Sequence, residues 1–303
     1  MQPRYPELTH CNICPRFCGI NRYQSLGYCQ ANANLKINLH QLHYGEEPVL
    51  SGTRGSGTIF FSFCNLKCAF CQNFNISAKG WGSERKNEEA VAIMLELQAM
   101  GAHNINLVTP THYSIQLADV LSEAKGKGLS IPVVWNSNAY ENTDTLEHLN
   151  GLVDIYLPDL KYADPKYSMQ YSSVADYPSV SRQAILEMHR QVGKLVLDRD
   201  NIAQKGLIIR MLVLPGQAAG ITESLHWIAD NLGNDTAISL MAQYYPTWQS
   251  FRFPEINRGI TQNEYDDFLE TLERIGFENG FIQELSCSSE WTPAFTNQSN
   301  HES

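Results

Sequence analysis

Apolar residues recur along this chain in two alternating patterns. Runs of five to seven mostly apolar residues, rich in β-branched or aromatic side chains, have the length and composition of buried strands. These runs occupy residues 58–63, 104–109, 131–135, 153–157, 207–213 and 237–241. Between these runs, apolar residues recur at helical spacing, for example at Ala90, Ile93, Met94 and Leu97. Residues 176–192 are expected to form a longer helix. The alternation predicts an α/β fold of parallel strands joined by right-handed crossovers.

The number of units and the residues after each run refine this prediction. Six strand–helix units are fewer than the eight of a closed barrel, so we expect a partial (β/α)6 barrel, in which sites lie at the C-terminal ends of the strands. Polar or proline-containing segments follow five of the runs, at residues 109–112, 136–138, 158–161, 215–216 and 243–246. Each alone is compatible with an ordinary turn. Five at one end of a sheet favour the rim of a pocket.

The cysteines form two close groups. Cys64, Cys68 and Cys71 have the spacing C-x3-C-x2-C, and an earlier group of four precedes them. In a reducing compartment disulfides are rare, so close spacing indicates metal binding. Three thiolates leave one iron of a four-iron cluster without a cysteine, and an open metal position can bind a substrate. A structural zinc site usually takes four ligands, which this group does not supply.

Composition and charge exclude several classes of protein. The 303 residues include 22 Lys and Arg and 32 Asp and Glu, which gives a formal net charge of −10. A general nucleic-acid binder usually carries a basic field instead. No apolar run is long enough to span a bilayer, and the first ten residues do not resemble a signal peptide. We therefore expect a cytoplasmic protein with neither a nucleic-acid nor a membrane partner.

The C-x3-C-x2-C motif, with Phe70 before its last cysteine, resembles the signature of the radical S-adenosylmethionine (SAM) enzymes. The resemblance implies that Cys64, Cys68 and Cys71 hold a [4Fe-4S] cluster whose fourth iron binds SAM. It further implies that one electron splits the sulfonium C–S bond, and that the resulting 5′-deoxyadenosyl radical abstracts hydrogen from a substrate. An external one-electron donor of the flavodoxin or ferredoxin type would supply the electron.

A closer resemblance depends on further segments, at residues 12–22, 43–48, 51–58 and 71–73. Together with the cluster motif they are similar to uncharacterised iron–sulfur proteins related to pyruvate formate-lyase activating enzyme, over almost the whole chain. This relationship implies an oxidoreductase that acts on a protein or peptide. Activation of a glycyl-radical enzyme is the reaction that these relatives suggest.

The resemblance also implies a set of SAM-binding residues. The backbone and ring of Phe70 would contact the adenine. Activating enzymes have a Gly-Gly-Glu stretch after the second strand to hold the methionyl amine. This chain has Thr109-Pro-Thr111-His112 there, so the hydroxyls of Thr109 and Thr111 and a carbonyl would accept the amine hydrogens.

The later strands would contribute the remaining contacts to SAM. Asn136 and Asn138 would lie near the ribose and carboxylate. Asp159 would hold the ribose or the substrate, while Lys161 and Arg210 would neutralise the SAM carboxylate. A purely structural ion pair between Asp159 and Lys161 is the alternative.

The N-terminal cysteine group is complete in itself. Cys11, Cys14, Cys18 and Cys29 follow the spacing C-x2-C-x3-C-x10-C, and four soft ligands suit either zinc or a [4Fe-4S] cluster. A structural zinc knuckle and an electron-relay cluster both remain open.

These features predict three parts. They are an N-terminal cysteine-rich metal-binding module at 1–52, the radical SAM partial barrel at 53–282, and a mobile polar tail at 283–303. Cys287, in the tail, is expected to be incidental. Segment 246–258 is aromatic and irregular, and could be a lid, a docking surface or a packed loop.

Two functions fit this reading. The first is a radical SAM enzyme that abstracts hydrogen from a protein or peptide substrate. The alternative is a non-catalytic iron–sulfur protein that transfers electrons or binds a partner, and it would need no SAM pocket.

Overall fold

The computed structural model describes residues 3–285 and 293–297. Its strands are β1 (Leu35–His43), β2 (Ser56–Phe61), β3 (Ser83–Arg85), β4 (Ile105–Val108), β5 (Val133–Ser137), β6 (Ile155–Pro158), β7 (Val196–Leu197), β8 (Ala203–Leu212), β9 (Ala237–Met241) and β10 (Gly280–Ile282). Its α-helices are α1 (Pro48–Ser51), α2 (Phe74–Ser77), α3 (Asn87–Ala99), α4 (Ser114–Gly126), α5 (Thr143–Glu147), α6 (Pro165–Ser172), α7 (Tyr177–Val192), α8 (Ile221–Leu232) and α9 (Gln262–Ile275).

The strands form one mixed sheet with a parallel centre. Strands β2, β4, β5, β6, β8, β9 and β10 lie side by side in that order, and each pair is parallel. At one edge β1 runs antiparallel to β2, and β3 runs antiparallel to β1. The short β7 pairs antiparallel with β8. The prediction of an α/β partial barrel is confirmed, and β10 adds a seventh parallel strand.

The predicted division at residue 52 stays a prediction. Strand β1 lies before that position, yet it is hydrogen-bonded to β2 along most of its length. The N-terminal part of the chain is therefore continuous with the sheet.

Local signals set the helix ends. Thr261 and Glu264 form a capping box at the start of α9, because the Glu264 side chain accepts from the Thr261 N–H at 2.8 Å and Thr261 Oγ1 accepts from the Glu264 N–H at 3.2 Å. At the start of α3 the sequence favours Asn87 as the N-cap, but the helix begins one residue earlier. Lys86 is the N-cap there, and Asn87 is the first helical residue, whose side-chain amide donates to Tyr5 Oη at 2.5 Å.

One face of the parallel sheet is divided between an apolar half and a polar half. Side chains alternate along a strand, so Val134 and Asn136 share a face, as do Ile208 and Arg210. At the N-terminal half of this face, Val49 and Leu50 of α1 are buried against apolar strand residues. Helix α1 therefore fills that half, and the polar C-terminal half remains open as a cavity.

The C-terminal segment also contacts the sheet where it is described. Phe295 packs edge-on against Phe60 with ring centroids 5.4 Å apart, and Asn38 Nδ2 donates to the Thr296 carbonyl at 2.9 Å. Cys287 lies outside the described residues. No helix formed by residues 3–285 and 293–297 is both long and apolar enough to cross a bilayer.

Candidate active site

A cavity of about 770 Å³ lies at the C-terminal ends of the parallel strands. This volume is within the range of small-molecule and cofactor sites. Nearly all the residues expected to bind the cluster or SAM line it: Cys64, Cys68, Phe70, Cys71, Thr109, Asn136, Asn138, Asp159, Lys161 and Arg210. Thr111 is not among the lining residues.

The loop that carries the three cysteines is held in an unusual backbone conformation. Phe63 and Lys67 have φ angles of 74° and 54°, which non-glycine residues rarely adopt. The Phe63 ring rests against the backbone of Gly80, where a Cβ would collide with it. Cys64 Sγ accepts from the Leu66 N–H at 3.3 Å and from Asn138 Nδ2 at 3.4 Å. Contacts within and beside the loop therefore fix the direction of the first sulfur.

The thiols lie in a desolvated environment. Burial raises the pKa of Cys68, and it raises the pKa of Cys71 to about 12 although the Ser77 hydroxyl opposes the shift. Within the described part of the chain, no three His, Cys, Asp or Glu side chains are arranged to hold a single metal ion. Three cysteines that share a large cavity without meeting at one point suit a cluster, which needs its thiolates spread around several irons.

A network of buried charges forms another part of the cavity wall. Arg210 Nε donates to Asp159 Oδ1 at 2.8 Å, and Lys161 Nζ donates to Asp159 Oδ2 at 2.7 Å. Arg210 also reaches Asn136 Oδ1 at 2.6 Å and Glu46 Oε2 at 3.2 Å. Burial alone would raise the pKa of Asp159, but the two cations hold it below its usual value. The predicted Asp159–Lys161 pair therefore exists, but as part of a buried network around Arg210.

Two acidic residues of the cavity were not predicted. Burial raises the pKa of Glu46 to about 7, although Arg210 opposes the shift. Glu47 is 7% exposed, and its Oε2 has no hydrogen-bond partner within the described residues. Both lie between β1 and α1, in segment 43–48, which had contributed to the resemblance without a role. The sequence signal that could have identified them is a pair of acidic residues directly before Pro48, the first residue of α1.

The segment after β4 separates into residues with different surroundings. Thr109 lines the cavity with φ at 60°, and its N–H donates to the Asn136 carbonyl at 2.8 Å. Thr111 turns away, and its hydroxyl donates to buried Glu141 at 2.6 Å. His112 Nε2 donates to the Ser62 carbonyl at 2.9 Å, and burial lowers the pKa of His112 to about 3.

Aromatic side chains pack behind the cluster loop. The Phe70 ring lies 6.1 Å from the rings of both Tyr162 and Tyr244, centroid to centroid. The irregular segment 246–258 is anchored here, because Trp248 stacks on Phe74 at 4.9 Å and the Gln249 N–H donates to the Ala69 carbonyl at 2.9 Å. These contacts favour the packed-loop interpretation over a free lid.

The four N-terminal cysteines surround a second, much smaller cavity of about 10 Å³. The other lining residues are Ile13, Arg16, Ile20, Arg22, Gly27 and His112. Burial raises the pKa of Cys14 to about 12, and hydrogen bonds from the Arg16 backbone and the Asn65 side chain oppose the shift. The fold thus brings all four predicted ligands together beside the cluster loop.

Comparison with known proteins identifies the family. The family model described as the radical SAM superfamily matches residues 58–227. An uncharacterized protein of Methanocaldococcus jannaschii is 31% identical over 278 residues, which cover 89% of this chain and 76% of that protein.

Two solved structures are also similar. That of methylornithine synthase (PylB) is 12% identical with a TM-score of 0.48, over 80% of this chain and 76% of that one. The structure of HydG, a maturase of the [FeFe]-hydrogenase, is 13% identical with a TM-score of 0.50. That match covers 74% of this chain and 50% of the HydG chain, and it concerns the fold alone. The chain belongs to the radical SAM superfamily, whose enzymes cleave SAM reductively at a [4Fe-4S] cluster.

Proposed function

We propose that this chain binds SAM in the large cavity and uses it to abstract hydrogen from a protein or peptide substrate. The observation that carries the proposal is the shared cavity itself. Three cysteines on one loop, of which Cys64 and Cys68 are buried and Cys71 is half-buried, line one space. Polar side chains from four successive parallel strands or the loops after them line the same space. A protein that only transferred electrons would have no need for such a space next to its cluster.

The cavity residues fit the expected cofactors. Cys64, Cys68 and Cys71 would hold the cluster, while Phe70, Thr109, Asn136 and Asn138 would contact SAM. When bound, these cofactors supply one-electron cleavage of the sulfonium bond, which yields methionine and a 5′-deoxyadenosyl radical that takes hydrogen from the substrate.

The chain's own residues prepare the site for this chemistry. Asp159 holds Lys161 and Arg210 in place, so two cations are fixed in the wall before a carboxylate arrives. The strained Thr109 stands where activating enzymes have glycine, and this supports a role of its backbone toward the amine. Thr111 is assigned to holding Glu141 instead.

The mouth of the cavity supports a polypeptide substrate. Tyr44 and Ile282 line the cavity and are 60% and 51% exposed. Large apolar side chains at an open rim are typical of surfaces that contact another protein. The specific substrate that we propose is a glycyl-radical enzyme, because the chain resembles proteins related to pyruvate formate-lyase activating enzyme.

The surroundings complete the proposal. The cysteines of the described residues are free thiols, which fits a reducing cytoplasm. An external one-electron donor of the flavodoxin or ferredoxin type would reduce the cluster. Cys11, Cys14, Cys18 and Cys29 would hold a second metal, either zinc or a [4Fe-4S] cluster.

The chemistry is tested with anaerobically reconstituted protein. Dithionite and SAM should yield 5′-deoxyadenosine, and SAM should change the electron paramagnetic resonance (EPR) signal of the reduced cluster. Absence of both effects would contradict the proposal.

The substrate class is tested by isotope transfer. Incubation with fully deuterated cell protein, freed of small molecules, should place deuterium in 5′-deoxyadenosine. The matching control is the deuterated small-molecule fraction alone. Deuterium transfer only from that control would overturn the polypeptide substrate while leaving SAM cleavage intact.

A further inference from the structure

The lining of the large cavity contains more acidic than basic side chains. Among the described residues, three carboxylates and two lysine or arginine side chains line it: Glu46, Glu47, Asp159, Lys161 and Arg210. At pH 8, above the pKa of about 7 that burial gives Glu46, these side chains leave one negative charge unbalanced. His43 also lines the cavity, but burial lowers its pKa, so it adds no positive charge at that pH.

The two cations of the lining already have partners. Arg210 donates to Asp159 Oδ1 at 2.8 Å and to Glu46 Oε2 at 3.2 Å. Lys161 Nζ donates to Asp159 Oδ2 at 2.7 Å. Glu47 is the carboxylate that remains: it is buried, and its Oε2 has no hydrogen-bond partner in the described structure. No salt bridge formed by the described residues includes Glu47.

A buried carboxylate without a counter-charge is destabilising, so the chemistry of its missing partner can be inferred. A water molecule could donate a hydrogen bond to Glu47, but it would not balance the charge. No three His, Cys, Asp or Glu side chains of the described residues are arranged to hold a metal ion. An organic cation that donates N–H hydrogen bonds satisfies both requirements. Because Glu47 lines the cavity, such a group can approach it from there.

Glu47 lies at a different depth of the cavity from the cysteines. It directly precedes α1, the helix that fills the N-terminal half of this face of the sheet. The neighbouring Glu46 accepts from Asn106 Nδ2 at 2.9 Å, and Asn106 pairs with Thr58 in β2. Cys64 follows Thr58 by six residues, beyond the C-terminal end of that strand. A cofactor held at the cysteine loop therefore leaves Glu47 to the substrate.

We propose that Glu47 binds the ammonium group of a lysine or the guanidinium group of an arginine in the substrate segment that enters the cavity. This inference rests on the proposed function, and adds the requirement that this segment of the polypeptide carries a basic side chain. Both side chains have long, flexible stems, so the charged group can reach Glu47 while the substrate backbone stays nearer the rim. Glu47 is then a specificity-determining residue, and no bond is made or broken at its carboxylate.

The inference is tested by peptide binding to the full chain, reconstituted anaerobically and kept at pH 8 with SAM but no reductant. The probes are blocked pentapeptides with glycine on both sides of one central residue, which is lysine, arginine or norleucine. Norleucine keeps the apolar stem of lysine without the charge. By isothermal titration calorimetry, the lysine or the arginine peptide should bind at least about tenfold more tightly than the norleucine peptide. The tighter of the two identifies the cation that the site takes.

Substitutions at Glu47 test whether this residue is the cause of the preference. Glu47→Gln keeps the size of the side chain and removes its charge, so the three peptides should bind it about equally. Glu47→Asp restores the charge and should recover part of the preference. The matched control is Glu96→Gln, which removes an exposed carboxylate and should keep the full preference. Glu47→Gln should not lower the urea midpoint of the peptide-free protein, because it removes an unpaired buried charge.

Two results of the peptide measurements would overturn the inference. One is equal affinity of the wild type for the three peptides, and the other is a preference that persists in Glu47→Gln. SAM binding to Glu47→Gln, measured by equilibrium dialysis, should change less than about twofold. A larger loss would assign Glu47 to SAM and would also overturn the inference.

These readouts do not require SAM cleavage. If the wild type made no 5′-deoxyadenosine, the proposed enzyme activity would fail while the binding preference could still be confirmed. If SAM were cleaved but the peptides bound equally, the enzyme activity would stand and the role of Glu47 would fail.

Discussion

One cysteine group lies on the cluster loop and the other lies beside that loop, yet the two cavities that they line differ in size and in charge pairing. The cavity at Cys64, Cys68 and Cys71 is about 770 Å³, and its two cations are paired with carboxylates. The cavity at the N-terminal group is about 10 Å³, and its two arginines contact carbonyls instead. The large cavity has room for a cofactor, and carboxylates of the chain balance its cations. The small cavity has room for about one water. No carboxylate of the described residues pairs with its arginines.

The largest effect should separate the two groups by function. Cys68→Ser removes one of the three buried or half-buried cysteines proposed to hold the SAM-site cluster, so 5′-deoxyadenosine should fall below detection with any reductant. Cys14→Ser changes only the other group, and product formation with dithionite should persist. Chromatographic measurement of 5′-deoxyadenosine checks both variants. Equal loss in the two would mean that the groups act as one site.

The next effect tests the charge balance of the large cavity. Arg210→Gln leaves Asp159 and Glu46 buried without their shared cation, so the free energy of unfolding should fall by about 3 kcal/mol. Lys127→Gln breaks an exposed pair with Glu123 and should change it by no more than about 0.5 kcal/mol. Urea denaturation of the two variants measures the difference. A similar small change in both would show that the Arg210 network is not important for stability.

The stability of the folded chain should also depend on pH through Glu46, which lies at the large cavity. Burial raises the pKa of Glu46 to about 7, above its ordinary value of 4.5, so the folded chain binds this proton more tightly than the unfolded chain. The contribution of Glu46 to stability is therefore fully present below pH 4.5 and is lost as the pH rises to about 7. Glu46→Gln should remove this decline, while the exposed control Glu96→Gln should keep it. Urea midpoints at about pH 5 and about pH 8 compare them. If stability still declined with pH in Glu46→Gln, another titratable group would be responsible for the decline.

The smallest effect concerns backbone strain at the rim. Thr109 has φ at 60°, which a β-branched residue adopts only at a cost. Thr109→Gly should raise the free energy of unfolding by about 1 kcal/mol because glycine adopts this φ without strain. It should also weaken SAM binding, because it removes the hydroxyl proposed to accept a hydrogen bond from the SAM amine. Ser173→Gly is the control. It relieves the strain of a similar φ of 55° at the end of α6, away from the cavity lining, and should leave SAM binding unchanged. Equilibrium dialysis with SAM distinguishes the two. Unaltered SAM binding in Thr109→Gly would exclude a role for the Thr109 hydroxyl, since glycine keeps the same backbone conformation.

Periodicity and spacing predicted the parts of the molecule that depend on local sequence. The six apolar runs became β2, β4, β5, β6, β8 and β9, because a parallel strand buried on both faces is recognisable by composition alone. Strand β10 has three residues, and β1 carries histidines and asparagine among its apolar residues, so neither gave a clear pattern. Their places depend on pairing with strands distant in sequence.

In the candidate site, too, residues in a local motif could be predicted from the sequence, and residues placed by long-range contacts could not. The motif identified Cys64, Cys68 and Cys71 directly, whereas Thr111 was assigned to SAM by its position in a family pattern. Its hydroxyl instead meets Glu141, thirty residues later, which no local pattern reveals. The acidic pair Glu46 and Glu47 was not predicted because it follows β1, a strand without a clear sequence pattern, and not one of the six parallel strands that the apolar runs predicted.

The sheet remains a strip with two free edges, β3 and β10, among the described residues. A closed cylinder of eight strands would admit only what fits down its axis. This one has a lateral seam, flanked by Phe281 and Ile282 on one side and by His43 and Tyr44 on the other. If the substrate is a polypeptide, as proposed, a folded macromolecule would insert one protruding loop sideways beside Pro293, which lines the same cavity, while the remainder stays outside. The width of the seam, rather than the radius of the barrel, would then set the size of the substrate segment that can react.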